Sequence, residues 1–532
     1  MKRLSFILFP ALRLSGFAPV VHRQRSPQDL RFRSRSQPMK TTIPFAALAG
    51  ALLVLGAPLR AAEPAKPNVI FILADDLGYG DLRCFGGNDV HTPHLDKFAA
   101  EGLKLTNCYA AHANCSPSRT AIMTGRTPSR VGVRNWIPEE SPVHLPRSEI
   151  TIATLLRNAG YATCHVGKWH LNGDFNKPTQ PQPGDHGFGH WFSTQNNALP
   201  NHHNPNNFVS DGREVGVTDG YSSGIVAEEA IRWLRATRDK AKPFFLYICF
   251  HEPHEPIATD ERYKKLYPSD DPSFSAHHGN ITQLDAAFGR LMHALDQDGL
   301  RENTFIVFTS DNGPAITPFH PHGSAGPLRD KKGSLYEGGI RVPGIVRWPG
   351  KTKPASVSDE PVCGVDYLPT ICAATGVQAP QDRQLDGASF LPVLEGKPVA
   401  RTTPLYWHFN RATSTMKIAL RVGDWKLLAA LDKNPPPRGN DITEGEEQDF
   451  KTAEPVSFEL YNLRSDLAET ANLTETEPAK FAELKAALVT KYHEVRAAGR
   501  TWPAWKYPGG EGKKMVWPDD ARKPKAGRPS SN

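Results

Sequence analysis

The sequence has no Cys-x-x-Cys pair and no Cys/His spacing suited to zinc, which excludes a zinc finger or ribbon as its organising element. It has no internal repeat, so a solenoid or propeller is excluded too. Its body also lacks an excess of either charge. The formal net charge is +7, but residues 1–62 hold ten Lys or Arg against one acidic residue, leaving 53 basic and 55 acidic residues beyond them. The charge therefore gives no ground for nucleic acid as a partner. Nor is there a stretch with the length and flanks of a stable membrane span. The apolar run Ile43 to Gly56 is too short, and it lies between Lys40 and the small-residue stretch Leu59-Arg60-Ala61-Ala62. These three regions read as a secretory signal peptide beginning at Met39 and cleaved near Ala61 or Ala62, with the Arg-rich residues 1–38 as an upstream extension. A rival reading puts the apolar region at Leu4 to Val21. Both predict export, to a periplasm or to the medium.

Cysteine is scarce, at seven in 532 residues: Cys84, Cys108, Cys115, Cys164, Cys249, Cys363 and Cys372. In an exported protein an odd count leaves one thiol unpaired or specialised. Cys363 and Cys372 could bridge.

What the chain does have is a series of apolar runs, Val69–Leu73, Pro243–Phe250 and Thr304–Thr309, with a shorter one at Tyr161–Val166. They read as strands, the longer ones buried on both faces. Helical patterns alternate with them, from about His91 to Gly102, Ile150 to Ala159, Ser223 to Thr237 and Ile281 to Asp296. The alternation predicts an α/β fold, a large doubly wound, mostly parallel sheet, with ligands beyond the carboxyl ends of its strands. Length and a change of pattern divide the chain. Residues 63–400 are expected to form the catalytic domain. Residues 401–500 should form a smaller antiparallel α+β subdomain of short strands, a loop from Asn434 to Glu454 and a helix from Pro478 to Arg496. The Pro/Gly/Lys-rich residues 501–532 read as a disordered tail. The segment Asp174–Asn207 reads as a long polar loop.

Four predicted strands end in polar residues: Asp75-Asp76, Gly167-Lys168-Trp169-His170, His251 with His254, and Asp311-Asn312. If the third continues, Lys168 and His170 share a face. One common site explains the coincidence better than four solvated turns. Asp75, Asp76, Asp311 and Asn312 offer only oxygen, which suits calcium or magnesium rather than zinc. Lys168, Lys332, Arg119 and His254 add positive charge and donors suited to a tetrahedral anion, sulfate or phosphate. Cys115 opens a helix in Cys115-Ser116-Pro117-Ser118-Arg119, where orphan N–H groups favour an anion, and it is the candidate nucleophile.

From Pro67 to Val495 the chain resembles the formylglycine-dependent (type I) sulfatases of the alkaline-phosphatase-like superfamily. The resemblance rests on Cys115-Ser116-Pro117-Ser118-Arg119, Asp75-Asp76, Gly167-Lys168-Trp169-His170, Pro253-His254-Glu255-Pro256, Ser310-Asp311-Asn312-Gly313 and Lys332 ahead of Tyr336-Glu337-Gly338-Gly339. It implies that a formylglycine-generating or equivalent maturation enzyme oxidises Cys115 to formylglycine, whose hydrated aldehyde is the nucleophile. Sulfate esters would then be hydrolysed through a covalent enzyme-sulfate intermediate. It further implies calcium (Ca2+) rather than Mg2+, held by Asp75, Asp76, Asp311, Asn312 and an oxygen of the modified Cys115. Arg119 would support the modified residue, and Lys168 would neutralise sulfate oxygens. His254, with His251 as its rival, would protonate the leaving alcohol beside Lys332. His170 would take the proton that expels sulfate, and Asn196 would be a further sulfate contact. A sulfated carbohydrate is the expected substrate, shaped by the Asn/His-rich loop Trp191–Phe208, and an aryl sulfate could be cleaved too. Two alternatives stand beside this reading. One is a phosphatase or phosphodiesterase on the same scaffold, which calls for a Ser or Thr nucleophile and His-rich metal ligands. The other is an exported glycan-binding protein without turnover.

Overall fold

The computed structural model describes residues 66–409, 416–433 and 441–522, so the leader expected in residues 1–62 lies outside the described residues. In chain order the strands are β1 Asn68–Ala74, β2 Leu103–Leu105, β3 Cys108–Tyr109, β4 Ala162–Lys168, β5 His190–Thr194, β6 Val209–Ser210, β7 Arg213–Glu214 and β8 Phe244–Cys249. They continue with β9 Thr304–Ser310, β10 Gly344–Arg347, β11 Ser356–Ser358, β12 Val362–Cys363, β13 Leu405–His408, β14 Met416–Val422, β15 Trp425–Leu431 and β16 Pro455–Asn462.

Ten of these strands form one sheet in the order β11-β2-β10-β9-β1-β8-β4-β5-β6-β7. The inner strands from β9 to β5 are mutually parallel, and antiparallel pairing begins at β10 on one side and β6 on the other. This is the predicted α/β architecture, and β1 shows why its strands read as unbroken apolar runs. Val69, Phe71 and Leu73 pack on one face with Ile122, Met123 and Tyr367, while Ile70, Ile72 and Ala74 pack on the other with Leu284, Phe288 and Leu291. Helices cover both faces, leaving no side of the strand for polar residues. The helix carrying Leu284 runs from Pro272 to Gln297, earlier in its start than the apolar pattern predicts. Asp271 caps it by accepting from Ser273 N, and Pro272 occupies the first turn.

The segment Asp174–Asn207 is not one loop, because it contains β5, paired in parallel with β4. The second sheet is antiparallel, β13-β14-β15-β16. On one face Ile418, Leu420 and Leu427 pack against Leu484, Leu488 and Val495 of the helix Pro478–Ala498. On the other, Trp407, Ala419 and Leu428 pack with Ala121, Leu335 and Ile340. The small sheet thus braces both the helix of Cys115 and the loop of Lys332. In the expected loop from Asn434 to Glu454, residues 434–440 lie outside the described residues and Glu444–Thr452 is helical.

All seven cysteines are free, Cys363 and Cys372 included. The expected tail is bound to the body over its described part. Trp502 Nε1 donates to Gly132 O at 2.8 Å, Val516 N donates to Pro200 O at 2.9 Å, and Trp517 stacks on Phe319 at 4.0 Å. Beyond one short 3-10 turn at Glu511–Lys513, aromatic, backbone and ion-pair contacts with the body hold this segment, Lys514 to Glu139 and Asp520 to Lys264 among them. Residues 523–532 lie outside the described residues.

Candidate active site

Strands β9, β1, β8 and β4 are neighbours in the sheet, so their carboxyl ends line up. Asp75 and Asp76 leave β1. Asp76 takes φ 64°, a left-handed conformation uncommon outside glycine, and its backbone N donates to Asp311 Oδ1 at 3.3 Å. Asp311 and Asn312 leave β9. Gly313 after them is required by close approach, since a Cβ there would sit 1.9 Å from Gly338 O. Asn312 Nδ2 donates to Asp76 Oδ1 at 2.7 Å. A carboxylate only accepts, so this bond fixes the amide orientation and leaves Asn312 Oδ1 as an acceptor. Asn312 Oδ1 and Asp75 Oδ1 are both buried without a hydrogen-bond partner among the described residues.

Cys115 is the first residue of the helix Cys115–Thr124 and is 2% exposed. Its Sγ and carboxylate oxygens of Asp75 and Asp311 lie within 4.8 Å of one another. Burial pushes its thiol pKa up, against the pull of Lys168 and Lys332, so the sulfur is held as a thiol rather than a thiolate. Arg119 lies one turn on. Its Nε and Nη2 donate to Asp311 Oδ2 at 3.0 and 2.7 Å, and its Nη1 donates to Lys168 O at 2.8 Å. One guanidinium therefore ties the helix to the ends of β9 and β4.

Lys168 ends β4 fully buried, with Nζ 2.6 Å from Asp75 Oδ2. The strand stops there. His170 has φ 56°, so the shared-face argument for Lys168 and His170 does not hold. His170 is turned instead by backbone: its N donates to Gln195 O at 2.7 Å, and its Nε2 lies 3.1 Å from Ile137 O. A carbonyl cannot donate, so Nε2 carries the proton and Nδ1 the lone pair, and Nδ1 has no partner among the described residues. Burial, then the charges of Lys168 and Arg119, hold His170 well below the ordinary histidine range and keep it neutral.

His254 follows β8. Its Nδ1 donates to Glu255 O at 2.6 Å and its Nε2 is 3.6 Å from Asp76 Oδ2. His251 bonds Thr194 Oγ1 at 2.8 Å through Nε2, so of the two rivals His254 faces the carboxylates. Lys332 Nζ is 2.6 Å from Asp76 Oδ1. The His254 and Lys332 side chains are 18% and 22% exposed, against 2% or less for the other charged groups in the cluster. The site therefore opens on their side.

The carboxylates are crowded. Burial and then the charge of Asp75 push Asp311 up to about 7, against Arg119 and Lys168. Burial also raises Asp75, but Lys168, His254 and Arg119 outweigh it and hold this group low. A buried set of three carboxylates and an amide oxygen, two of its oxygens unpartnered, fits a hard divalent cation of the calcium or magnesium type.

Of the predicted site residues, only Asn196 is committed elsewhere. Its Nδ2 donates to both oxygens of Glu511, at 3.0 and 2.9 Å, so that donor is not left for a sulfate. Glu511 and the Ile137 carbonyl carry no signal in the sequence, whereas Gln195 lies beside Asn196 in the loop Trp191–Phe208 expected to shape the sugar subsites.

Residues 67–377 match the sulfatase family model, and residues 328–434 match the model for the C-terminal part of N-sulphoglucosamine sulphohydrolase. Rat (Rattus norvegicus) N-acetylgalactosamine-6-sulfatase is 33% identical over 388 residues, covering 68% of this chain and 71% of the rat protein. Human (Homo sapiens) arylsulfatase A is 32% identical over 461 residues, covering 79% and 86%. Among solved structures, Ps i-CgsB in complex with k-i-k-neocarrahexaose is similar with a TM-score of 0.70 and 27% identity, covering 84% of this chain and 96% of that one.

Proposed function

We propose, from the premise that this chain belongs to the sulfatase family and hydrolyses sulfate esters, that its substrates are sulfated carbohydrates. We further propose a calcium ion and a Cys115 matured to formylglycine as the groups that complete the site. The observation that carries the reading is the meeting of Asp75, Asp76, Asp311 and Asn312 with Cys115 at a helix N-terminus. The carbohydrate assignment draws on the names of similar proteins, an N-acetylgalactosamine-6-sulfatase and a structure holding a neocarrahexaose.

Asp75, Asp76, Asp311 and Asn312 would hold the ion, which supplies positive charge for sulfate oxygens when bound. Formylglycine at position 115, as its hydrate, supplies a nucleophilic oxygen where the protonated thiol would be a poor one. The protein's own side chains do the rest. Lys168 and the helix N-terminus stabilise the charge of the sulfuryl group. His254 and Lys332, at the open side, receive the leaving oxygen. Burial pushes His254 down to about 4, opposed by Asp76 and Asp75, and an arriving sulfate ester anion favours its protonated form further. Protonated Nε2 then donates to the departing alcohol. His170 holds its lone pair at Nδ1, ready to take a proton in the step that frees sulfate. Arg119 keeps the helix of Cys115 in register with Asp311. The rival phosphatase reading calls for a Ser or Thr nucleophile and His-rich ligands, and the cluster offers neither.

The leader in residues 1–62 directs the protein to a periplasm or the medium, and a maturation enzyme acts on Cys115. The test is mass analysis of the Cys115 peptide and metal analysis of active protein, followed by a panel of sulfated oligosaccharides. Aldehyde at position 115, about one calcium per chain and release of sulfate from a sugar are expected. Full activity with an unmodified thiol would overturn the mechanism, and a panel without turnover would overturn the substrate class.

A further inference from the structure

Glu511 lies in the C-terminal segment between the anchors Trp502 and Trp517 and is 4% exposed. Its partners are amides rather than cations. Besides the two bonds from Asn196, its Oε1 accepts from Asn197 Nδ2 at 3.1 Å. Asn196 and Asn197 follow β5, which pairs with the strand ending at Lys168; burial pushes the Glu511 carboxyl up, opposed first by the bonds from Asn196 and then by the charge of Lys168. The loop is also tied to His170, through His170 N to Gln195 O.

A carboxylate can only accept, so it dictates how the Asn196 amide is turned. The NH2 group faces Glu511, and Asn196 Oδ1 is buried with no hydrogen-bond partner among the described residues. Gln195 repeats the pattern. Its Nε2 donates to Ile137 O at 3.1 Å and Asn172 O at 2.7 Å, and its Oε1 is buried without a partner among the described residues. The loop beside the site thus offers acceptors with their donors already used. Sulfate oxygens are acceptors as well and gain nothing from it, whereas a hydroxyl group does.

We propose that Glu511 is a positioning residue for substrate recognition, holding Asn196 so that its Oδ1 accepts a sugar hydroxyl near the sulfate ester rather than binding the sulfate. This rests on the carbohydrate reading above. A site built to receive a hydroxyl rejects an analogue lacking it, because its acceptor is then left unpaired.

The experiment compares wild-type enzyme with Glu511→Gln, which puts an NH2 group against the Asn196 amide and permits it to turn. Substrates are 4-nitrophenyl sulfate, a panel of hexose and N-acetylhexosamine monosulfates, and the deoxy analogue of the best sugar lacking the hydroxyl next to the sulfate. The ratio of kcat/KM for sugar over aryl sulfate is expected to fall about tenfold or more in the variant, mostly through KM. The wild-type preference for the sugar over its deoxy analogue should shrink by a similar factor. Equal losses on sugar and aryl sulfates, an unchanged ratio, or a retained preference against the deoxy analogue would each overturn the proposal. If wild type cleaves the aryl sulfate and no sugar sulfate, the carbohydrate reading itself fails, and wild type alone reveals it. Thermal melting checks the variant's fold. Should it not fold, Glu511→Ala, which removes the acceptor and likewise leaves the Asn196 amide free to turn, undergoes the same comparison with the same expected fall.

Discussion

Lys426 provides a test of how the small sheet supports the site. It sits in β15 with no exposed side-chain area, and its Nζ is 2.9 Å from both Glu337 Oε1 and Glu469 Oε1. Glu337 opens the short helix just after the loop of Lys332, and its backbone N donates to Glu469 Oε2 at 2.6 Å. Replacing Lys426 with Met keeps much of the volume and leaves two buried carboxylates facing each other. Breaking a buried ion pair from one side costs about 3–5 kcal/mol. The cost also depends on pH. Burial and the nearby charge of Glu337 push Glu469 up to about 7, with Lys426 acting against them. For Glu337, burial is outweighed by Lys426, Arg341 and Arg421, which hold it low. Without Lys426, Glu469 rises further. A carboxyl that binds a proton in the native state and not in the unfolded one makes stability fall as pH rises, until pH passes the folded pKa. In wild type that fall ends near 7, and in Lys426→Met it continues above. The loss should therefore be larger at pH 8 than at pH 6, by up to about 1.4 kcal/mol for each further pH unit in which the proton is retained. Denaturant unfolding followed by tryptophan fluorescence at the two pH values measures this, and kcat/KM reports the loop of Lys332. A loss under about 1 kcal/mol at pH 8, or one that does not grow from pH 6, would refute the reasoning.

Arg119→Lys keeps the charge but cannot fork onto Asp311 while reaching Lys168 O, so kcat/KM should fall about a hundredfold, near 3 kcal/mol; steady-state rates within fivefold of wild type would count against that role. Asp386, bonded to Arg130 at 2.9 Å and to Lys491 at 2.7 Å, is held at about 2 because these cations outweigh its burial. Its contribution is complete above about pH 4 and is lost as pH falls towards 2, so Asp386→Asn should flatten acid unfolding between those values and lower stability at pH 7 by about 2 kcal/mol. An acid-unfolding profile that keeps the wild-type slope would remove Asp386 from the account.

The inner strands were legible because both faces are buried, which writes an unbroken apolar run. β5 was not, for a physical reason. Its polar residues are buried with partners: His190 bonds Asp211 at 2.6 Å and Glu229 at 3.0 Å, and Ser193 bonds His165 at 2.7 Å. Paired polar groups can lie in a core and break the pattern that reveals it. The helix Glu444–Thr452 did carry a signal, the capping box of Thr443 with Glu446, inside a stretch whose composition suggested a loop. The order of residues 501–522 depends on contacts hundreds of residues away, such as Trp502 on Gly132, and nothing local encodes them.

The same division runs through the site. The metal-type ligands were legible because a strand's carboxyl end is a place, and residues written next to it inherit that place. The roles of single atoms were not, because they depend on which neighbour accepts. Ile137 O puts the lone pair of His170 on Nδ1, Asp76 turns the oxygen of Asn312 free, and Glu511 does the same for Asn196. In each case an acceptor distant in sequence removes one option from a group that could donate or accept. Residue type therefore identified which groups gather at the strand ends, while the outer acceptors decide which of their atoms are left unpartnered, and it is on those atoms that the proposed roles rest. A change at Glu511 should accordingly alter what the enzyme selects before it alters the chemistry at Cys115, and a change at Arg119 should do the reverse.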